Sequence, residues 1–275
     1  MVDAPAIVET ARAVRWSGGT ISARDVGMAT APALVFLHGV GSSAASWGGE
    51  LASLAARGYR VVAWDAPGYG DSDPLPMAAP TGADYATALA ALLDGLGIDR
   101  FVLVAHSLGV LIAAAFCVSN AGARVTKLIL AAPTPGFGNA TPDVWRVKVD
   151  GRLADMDRLG PAGLAAQNPL AVLGPGASAD AQARVRAVIR TLRPEGYKQA
   201  VRMLGGEDLM ATGPRVAQET LVLSGSADTV TPEAGCRRVA AAIPHARYQV
   251  LPGLGHACYV EDAGAFEAAI IGFLA

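Results

Sequence analysis

The stretch VLVAHSLGVLIAAAF, Val102–Phe116, decides how this chain is read. It opens as an apolar run, breaks on the polar pair His106–Ser107, passes Gly109 and turns apolar again. Two readings meet at Ser107. The serine caps the next helix, or it is a nucleophile on a forced turn between a buried strand and a buried helix. The second reading needs small neighbours so that strand and helix can approach each other. Ala105 and Gly109 stand two positions before and two after the serine. Such a turn holds the serine in strained backbone geometry and frees its oxygen above the sheet. The start of the helix then adds backbone N–H donors where an oxyanion would form.

The surrounding pattern makes the run a strand–turn–helix unit. Short β-branched runs alternate with longer Ala/Leu-rich segments. AVRWSGGTISARDVG reads as a hairpin around Gly18–Gly19. ALVFLHG, YRVVAWD, RFVLVAH and RVTKLILAAP read as strands, and SWGGELASLAARG, TGADYATALAALLDGLG and SLGVLIAAAFCVSN as the helices between them. Strands joined by connections of that length form a parallel sheet with helices on both faces.

From Thr134 to about Pro214 the rhythm changes. TPDVWRVKVDGRLADMDRLG, ADAQARVRAVIRTL and PEGYKQAVRML read as helices, with NPLAVLGPGAS as a loop. The α/β pattern then resumes with the strand ETLVLSG, the helix TPEAGCRRVAAAI, the strand ARYQVLP and the helix EDAGAFEAAIIGFL. The expected organisation is a core of residues 1–135 and 215–275 with a helical cap, 136–214, inserted over the ligand crevice at the strands' carboxyl ends.

A serine nucleophile needs a base, and the base needs an acid to orient it. On a strand–elbow–helix sheet the chain order is serine, acid, histidine. Two histidines lie beyond Ser107. His245 precedes the last strand, at the wrong edge of the sheet; His256, in LPGLGHACYVED, comes after it and is the expected base. One strand earlier, LVLSGSADTVTP supplies Asp228 as the acid. HGVGSSAASW, after the strand LVFLHG, places the Val40 N–H beside the elbow. With the N–H of Leu108 it forms the expected oxyanion hole.

Ser107, Asp228, His256, the His38–Gly39 loop and WDAPGYGDSD together resemble the α/β-hydrolase superfamily, over about 11–135 and 218–275. The resemblance implies an eight-stranded, mostly parallel sheet with an antiparallel second strand, flanked by helices, and a cap after the sixth strand. It also implies that Asp65, Gly68, Gly70 and Ser72 form a structural loop near the oxyanion hole. Ala105 replaces the usual glycine of the elbow. Members that cleave carbon–carbon bonds in meta-cleavage products commonly carry Gly-Pro-Gly in the oxyanion loop and Asn before the serine; this chain has GVGSS and His106. Haloalkane dehalogenases and epoxide hydrolases of this fold use Asp where Ser107 stands. GHACYVED and RPEGYKQAVRML look like the enol-lactonase and small-ester hydrolase branches. The expected activity is hydrolysis of a small, largely apolar ester or lactone through an acyl-enzyme. The alternatives are a carbon–carbon hydrolase of dienoates, a cofactor-free perhydrolase and a non-enzymatic receptor. In the cap, Trp145, Met156, Leu164 and Leu170 read either as pocket residues or as internal packing, and Arg190 and Arg193 either as carboxylate partners or as solvated charges; none is placed in the expected site.

Bulk properties bound the rest. The 275 residues are 52% hydrophobic, with 22 basic and 24 acidic side chains and a net charge of −2; the mean hydropathy is +0.35. No basic stripe invites nucleic acid, and no run approaches a membrane span. The 3 cysteines show no zinc or disulfide spacing. The N-terminal segment, with Asp3, Glu9 and Arg12, does not read as a signal peptide. The expectations are a cytoplasmic monomer or homodimer with no cofactor, no metal, and only a small-molecule partner.

Overall fold

A computed structural model describes residues 9–167 and 169–275. Residues 1–8, on which part of the signal-peptide reading rests, and the side chain of Leu170 lie outside the described residues. The Gly18–Gly19 signal makes a hairpin: β1 (Glu9–Trp16) runs antiparallel to β2 (Gly19–Val26), and Gly19 takes φ 124° at the turn. β3 (Ala33–Leu37), β4 (Arg60–Trp64), β5 (Phe101–His106), β6 (Val125–Ala131), β7 (Thr220–Gly225) and β8 (Arg247–Leu251) complete an eight-stranded sheet in the order β1-β2-β4-β3-β5-β6-β7-β8. β2 is antiparallel to both its neighbours; every other pairing is parallel.

β3 and β4 are buried along their whole length, which is why ALVFL and VVAW read as apolar runs; Arg60, which opens β4, is buried against Asp25, with Nη2 donating to Oδ2 at 2.9 Å. Alternation divides β3 between two cores. Val35 and Leu37 join the core built by α2 (Gly82–Gly95) and α3 (Gly109–Cys117). Leu34 and Phe36 join the core built by α1 (Gly48–Ala56) and α11 (Ala263–Leu274), where Trp47 stacks on Tyr259 at 4.0 Å between ring centroids. Thr81 starts α2 with a reciprocal capping box to Asp84.

Between β6 and β7 the described residues form α4 (Pro142–Trp145), a π-helical turn at Arg146–Asp150, α5 (Gly151–Gln167), α6 (Ala179–Arg190), α7 (Pro194–Gly206) and α8 (Leu209–Thr212). The single helix expected over 141–160 is therefore interrupted twice. The π turn breaks its repeat, and Gly160, with φ 60° before Pro161, kinks its end because a proline ring cannot continue the preceding turn. The expected loop at 168–178 contains a 3₁₀ turn, Pro169–Val172. α7 is tied to the core: the Gln199 amide accepts from Leu75 N–H and donates to the carbonyls of Leu75 and Met77, and Arg193 donates to Gly70 and Ser72. Past β7, α9 (Glu233–Ala242) covers one face, and α10 (Cys258–Glu261) leads into α11. Among the described residues no helix is long and apolar enough to cross a membrane.

One buried acid works against this packing. Glu50 of α1 is 1% exposed, and its Oε1 has no hydrogen-bond partner among the described residues. Burial pushes its carboxyl up to about 8, with Glu267 adding to the rise and Arg184 opposing it. A carboxyl raised on folding favours the native state at low pH; that advantage is lost as pH climbs from the ordinary carboxylate range to about 8. Glu50→Gln is therefore expected to gain on the order of 2 kcal/mol relative to the parent between pH 5 and pH 8. Urea unfolding at the two pH values measures this; parallel losses in parent and variant would contradict it.

Candidate active site

The residues singled out by sequence collect at the carboxyl ends of four parallel strands. The loop after β3 carries Gly39–Gly41, the turn after β5 carries Ser107, the loop after β7 carries Asp228, and the loop after β8 carries His256. β3 and β5 are neighbours, so Val40 and Leu108 face the same opening.

Ser107 has φ 52°, a left-handed conformation rare for a residue with a side chain. The turn is fixed from both sides. The Ser107 N–H donates to Ala131 O at 2.9 Å. A Cβ on Gly109 would stand 2.9 Å from the carbonyl oxygens of Leu37 and His38, so only glycine lets α3 sit this close to β3. Ala105 is fully buried in β5, and its methyl is accommodated where the resemblance puts glycine.

The loops bearing Asp228 and His256 are stitched together by their backbones: Ser226 N–H donates to Leu251 O and Ala227 N–H to Leu254 O. His256 Nδ1 lies 2.9 Å from Asp228 Oδ2. The other carboxylate oxygen accepts from the N–H groups of Val230 and Thr231 at 2.7 and 2.9 Å, and the Thr231 hydroxyl donates to Oδ2 at 2.7 Å. Burial alone would push the Asp228 carboxyl up. The bonds from His256 and Thr231 outweigh it and hold the group below the ordinary carboxylate range. An ionised Oδ2 can only accept, so Nδ1 is the nitrogen that carries a proton, and in the neutral imidazole the lone pair is the one at Nε2. Among the described residues no hydrogen bond joins Ser107 to His256; both line one cavity of about 990 Å³ beneath the helical block.

The N–H groups of Val40 and Leu108 donate to no protein acceptor among the described residues and line that cavity. Val40 is held by the Tyr69 hydroxyl, which donates to its carbonyl at 3.0 Å. Asp65 braces the same loop by accepting from Ala44 N–H at 2.9 Å. His38 donates from Nδ1 to Gly39 O and accepts at Nε2 from Ala66 N–H, so it is neutral and serves as a clamp; burial lowers its pKa.

Three contributors escaped the sequence reading. Thr231 braces Asp228. Tyr69 holds Val40. His106 donates from Nε2 to the carbonyl of His256 at 2.8 Å, their rings 4.7 Å apart. Burial, with His256 beside it, pushes His106 down to about 3, so it stays neutral. TVTP after an acid and GYG in a turn-rich loop are faint signals for the first two; only the fold pairs His106 with His256.

The cap candidates fare differently. Met156 is buried and Trp145 Nε1 donates to Gly205 O, so both are packing residues. Arg193 is spent on the loop at 70–72, and Arg190 is exposed away from the cavity lining. Phe137, Lys148, Arg152, Val185 and Ile189 line the cavity instead.

A model described as the alpha/beta hydrolase family matches residues 34–269. Over 117 residues the chain is 41% identical to a 2-hydroxy-6-oxononadienedioate/2-hydroxy-6-oxononatrienedioate hydrolase of Pseudomonas putida, a match spanning 42% of this chain and 40% of that protein. A protein of the same description from Cupriavidus pinatubonensis is 29% identical over 266 residues, 92% of this chain and 90% of the relative. Among solved structures, the enol-lactonase from Burkholderia xenovorans LB400 aligns with a TM-score of 0.84 at 26% identity, over 96% of this chain and 99% of that one.

Proposed function

The chain belongs to the alpha/beta hydrolase family, and from that premise we propose that it is a serine hydrolase cleaving a carboxylic ester or lactone through an acyl-enzyme. The observation that carries this reading is the orientation of His256: Nδ1 is committed to an ionised Asp228, which leaves Nε2 as a base at the mouth of the strained serine turn. His256 takes the Ser107 proton as Oγ attacks the carbonyl, and Asp228 stabilises the imidazolium. The N–H groups of Val40 and Leu108 receive the oxyanion, which the ground-state carbonyl fills less well. His256 returns the proton to the leaving alcohol, or to the ring alkoxide of a lactone. Water activated by the same nitrogen then releases the acid. Residues 136–214 act as the cap that selects the substrate over the core of 1–135 and 215–275.

Hydrolysis of a 2-hydroxy-6-oxodienedioate is the second reading, favoured by the names of two relatives. Its nucleophile would meet a ketone carbonyl in the same oxyanion site.

A serine-directed fluorophosphonate tests the mechanism. Stoichiometric labelling of Ser107, with loss of p-nitrophenyl ester turnover in proportion, is the expected result. Labelling elsewhere, or none, would overturn the serine assignment. Turnover of a 2-hydroxy-6-oxodienedioate with no turnover across an ester and lactone panel would favour the second reading.

A further inference from the structure

The cavity carries a charge pattern that ester hydrolysis itself does not require. The chain has a net charge of −2, yet among the described residues the cavity lining holds Lys148, Arg152, Arg184 and Arg238 and no Asp or Glu. A cleft walled by one sign of charge over apolar surface concentrates ligands of the opposite sign. Of the four, Arg184 is engaged: its Nε pairs with Asp180 at 3.0 Å and its Nη2 donates to Val260 O at 2.7 Å. Arg238, on α9, forms no ion pair among the described residues, but it stands alone.

Lys148 and Arg152 differ because they act as a pair. Neither forms an ion pair among the described residues, although the same helical segment supplies pairs at Arg146–Asp143 and Arg158–Asp155. Among the described residues Arg152 donates only to the carbonyl of Lys148, four residues earlier, both residues line the cavity, and the half-buried Arg152 guanidinium lies 6.0 Å from the centre of the Phe137 ring. Phe137 and Leu204 also line the cavity, giving an apolar floor beside two unneutralised cations. A guanidinium and an ammonium on an apolar shelf suit a carboxylate, which the guanidinium can hold through two parallel bonds.

We propose that Lys148 and Arg152 form a carboxylate subsite, and that the substrate is an ester or lactone carrying a second, free carboxylate at the end remote from the scissile carbonyl. This rests on the hydrolytic reading above for the position of the scissile group. The rest of the substrate is apolar, because Val185, Val188 and Ile189 wall the space between. Hydrolysis then yields a dianion, or a hydroxy-dianion from a lactone, so the reaction that consumes the product takes a dicarboxylic acid.

The test reads binding without turnover, in a Ser107→Ala background. Monomethyl adipate, an anion at neutral pH, and dimethyl adipate, its neutral counterpart, are titrated by calorimetry at low ionic strength. The monoester is expected to bind at least about tenfold tighter, and 0.5 M salt to shrink that ratio by screening. Lys148→Gln with Arg152→Gln is expected to bring the ratio close to one. Lys148→Glu, a change at an exposed side chain that leaves the fold intact, is expected to lower it as well. Arg190→Gln, outside the cavity, is expected to retain it. Equal binding of the two esters, no measurable binding of either, or a ratio that survives the double substitution would overturn the subsite. Failure of the wild-type protein to hydrolyse any ester would instead overturn the hydrolytic reading, because the binding ratio needs no nucleophile.

Discussion

Ser107→Ala is expected to lower kcat on a p-nitrophenyl ester by about 10⁴-fold or more while leaving the fold intact. The local structure dictates both halves. Among the described residues no hydrogen bond uses the serine hydroxyl, so deleting it strands no partner. The turn is held by the Ser107 N–H on Ala131 and by the close approach at Gly109, which the substitution leaves in place. Ser107→Gly sharpens the test. With φ at 52°, any side chain at this position costs about 1 kcal/mol that glycine does not. The glycine variant is therefore expected to be as inactive as the alanine variant but to melt about 2 °C higher. A more stable, dead protein is the signature of strain held for chemistry. Turnover within tenfold of the parent in Ser107→Ala would remove Ser107 from the mechanism, and a lower Tm in Ser107→Gly would remove the strain argument.

The positions that sequence reading reached, and those it did not, divide along a physical line. Strands such as ALVFLHG and RFVLVAH are legible because burial on both faces demands unbroken apolar runs, and the glycine or His–Ser that ends each run marks the carboxyl edge. Ser107, Asp228 and His256 are legible as candidates for the same reason: each comes just after a strand end, and chain order ranks them. Thr231, Tyr69 and His106 are not, because each acts through a partner that only the folded chain brings near. His106 meets the carbonyl of His256, and Tyr69 reaches back to Val40. In the helical block the difficulty is register. Helical spacing is as consistent with internal packing of Trp145 and Met156 as with a pocket, and it does not show the π turn at Arg146–Asp150, which adds a residue to that turn and rotates the helix beyond it. Lys148, within that turn, and Arg152, just past it, line the cavity, and Met156 is buried one turn further on.

Asp228→Asn is expected to cost about 10³- to 10⁴-fold in kcat with little loss of stability, because the surrounding donors dictate which way the amide points. The Asp228 Oδ1 position accepts from two backbone N–H groups, Val230 and Thr231, and neither can become an acceptor. The amide oxygen must therefore stay there, and the NH2 takes the place of Oδ2, facing His256 Nδ1 and the Thr231 hydroxyl. An NH2 donor requires an acceptor at Nδ1, so the imidazole proton moves to Nε2. The nitrogen that should take the Ser107 proton then already carries one. Thr231 can rotate its hydroxyl to accept from the amide and donate to Ala132 O, 3.2 Å away, so no buried group is orphaned and the fold survives. The parent carboxyl is held below the ordinary carboxylate range by these same donors. It therefore stays ionised throughout neutral pH, and its stabilisation of the imidazolium is lost only in acid. Asp228→Asn lacks that charge at every pH, so its defect is expected to persist across the neutral range. Steady-state kinetics from pH 6 to 9, with a thermal melt of each variant, decide the matter. An asparagine variant that keeps more than a tenth of parental kcat would show that Asp228 does not orient His256. One that loses activity and melts far lower would show that the carboxylate is structural first.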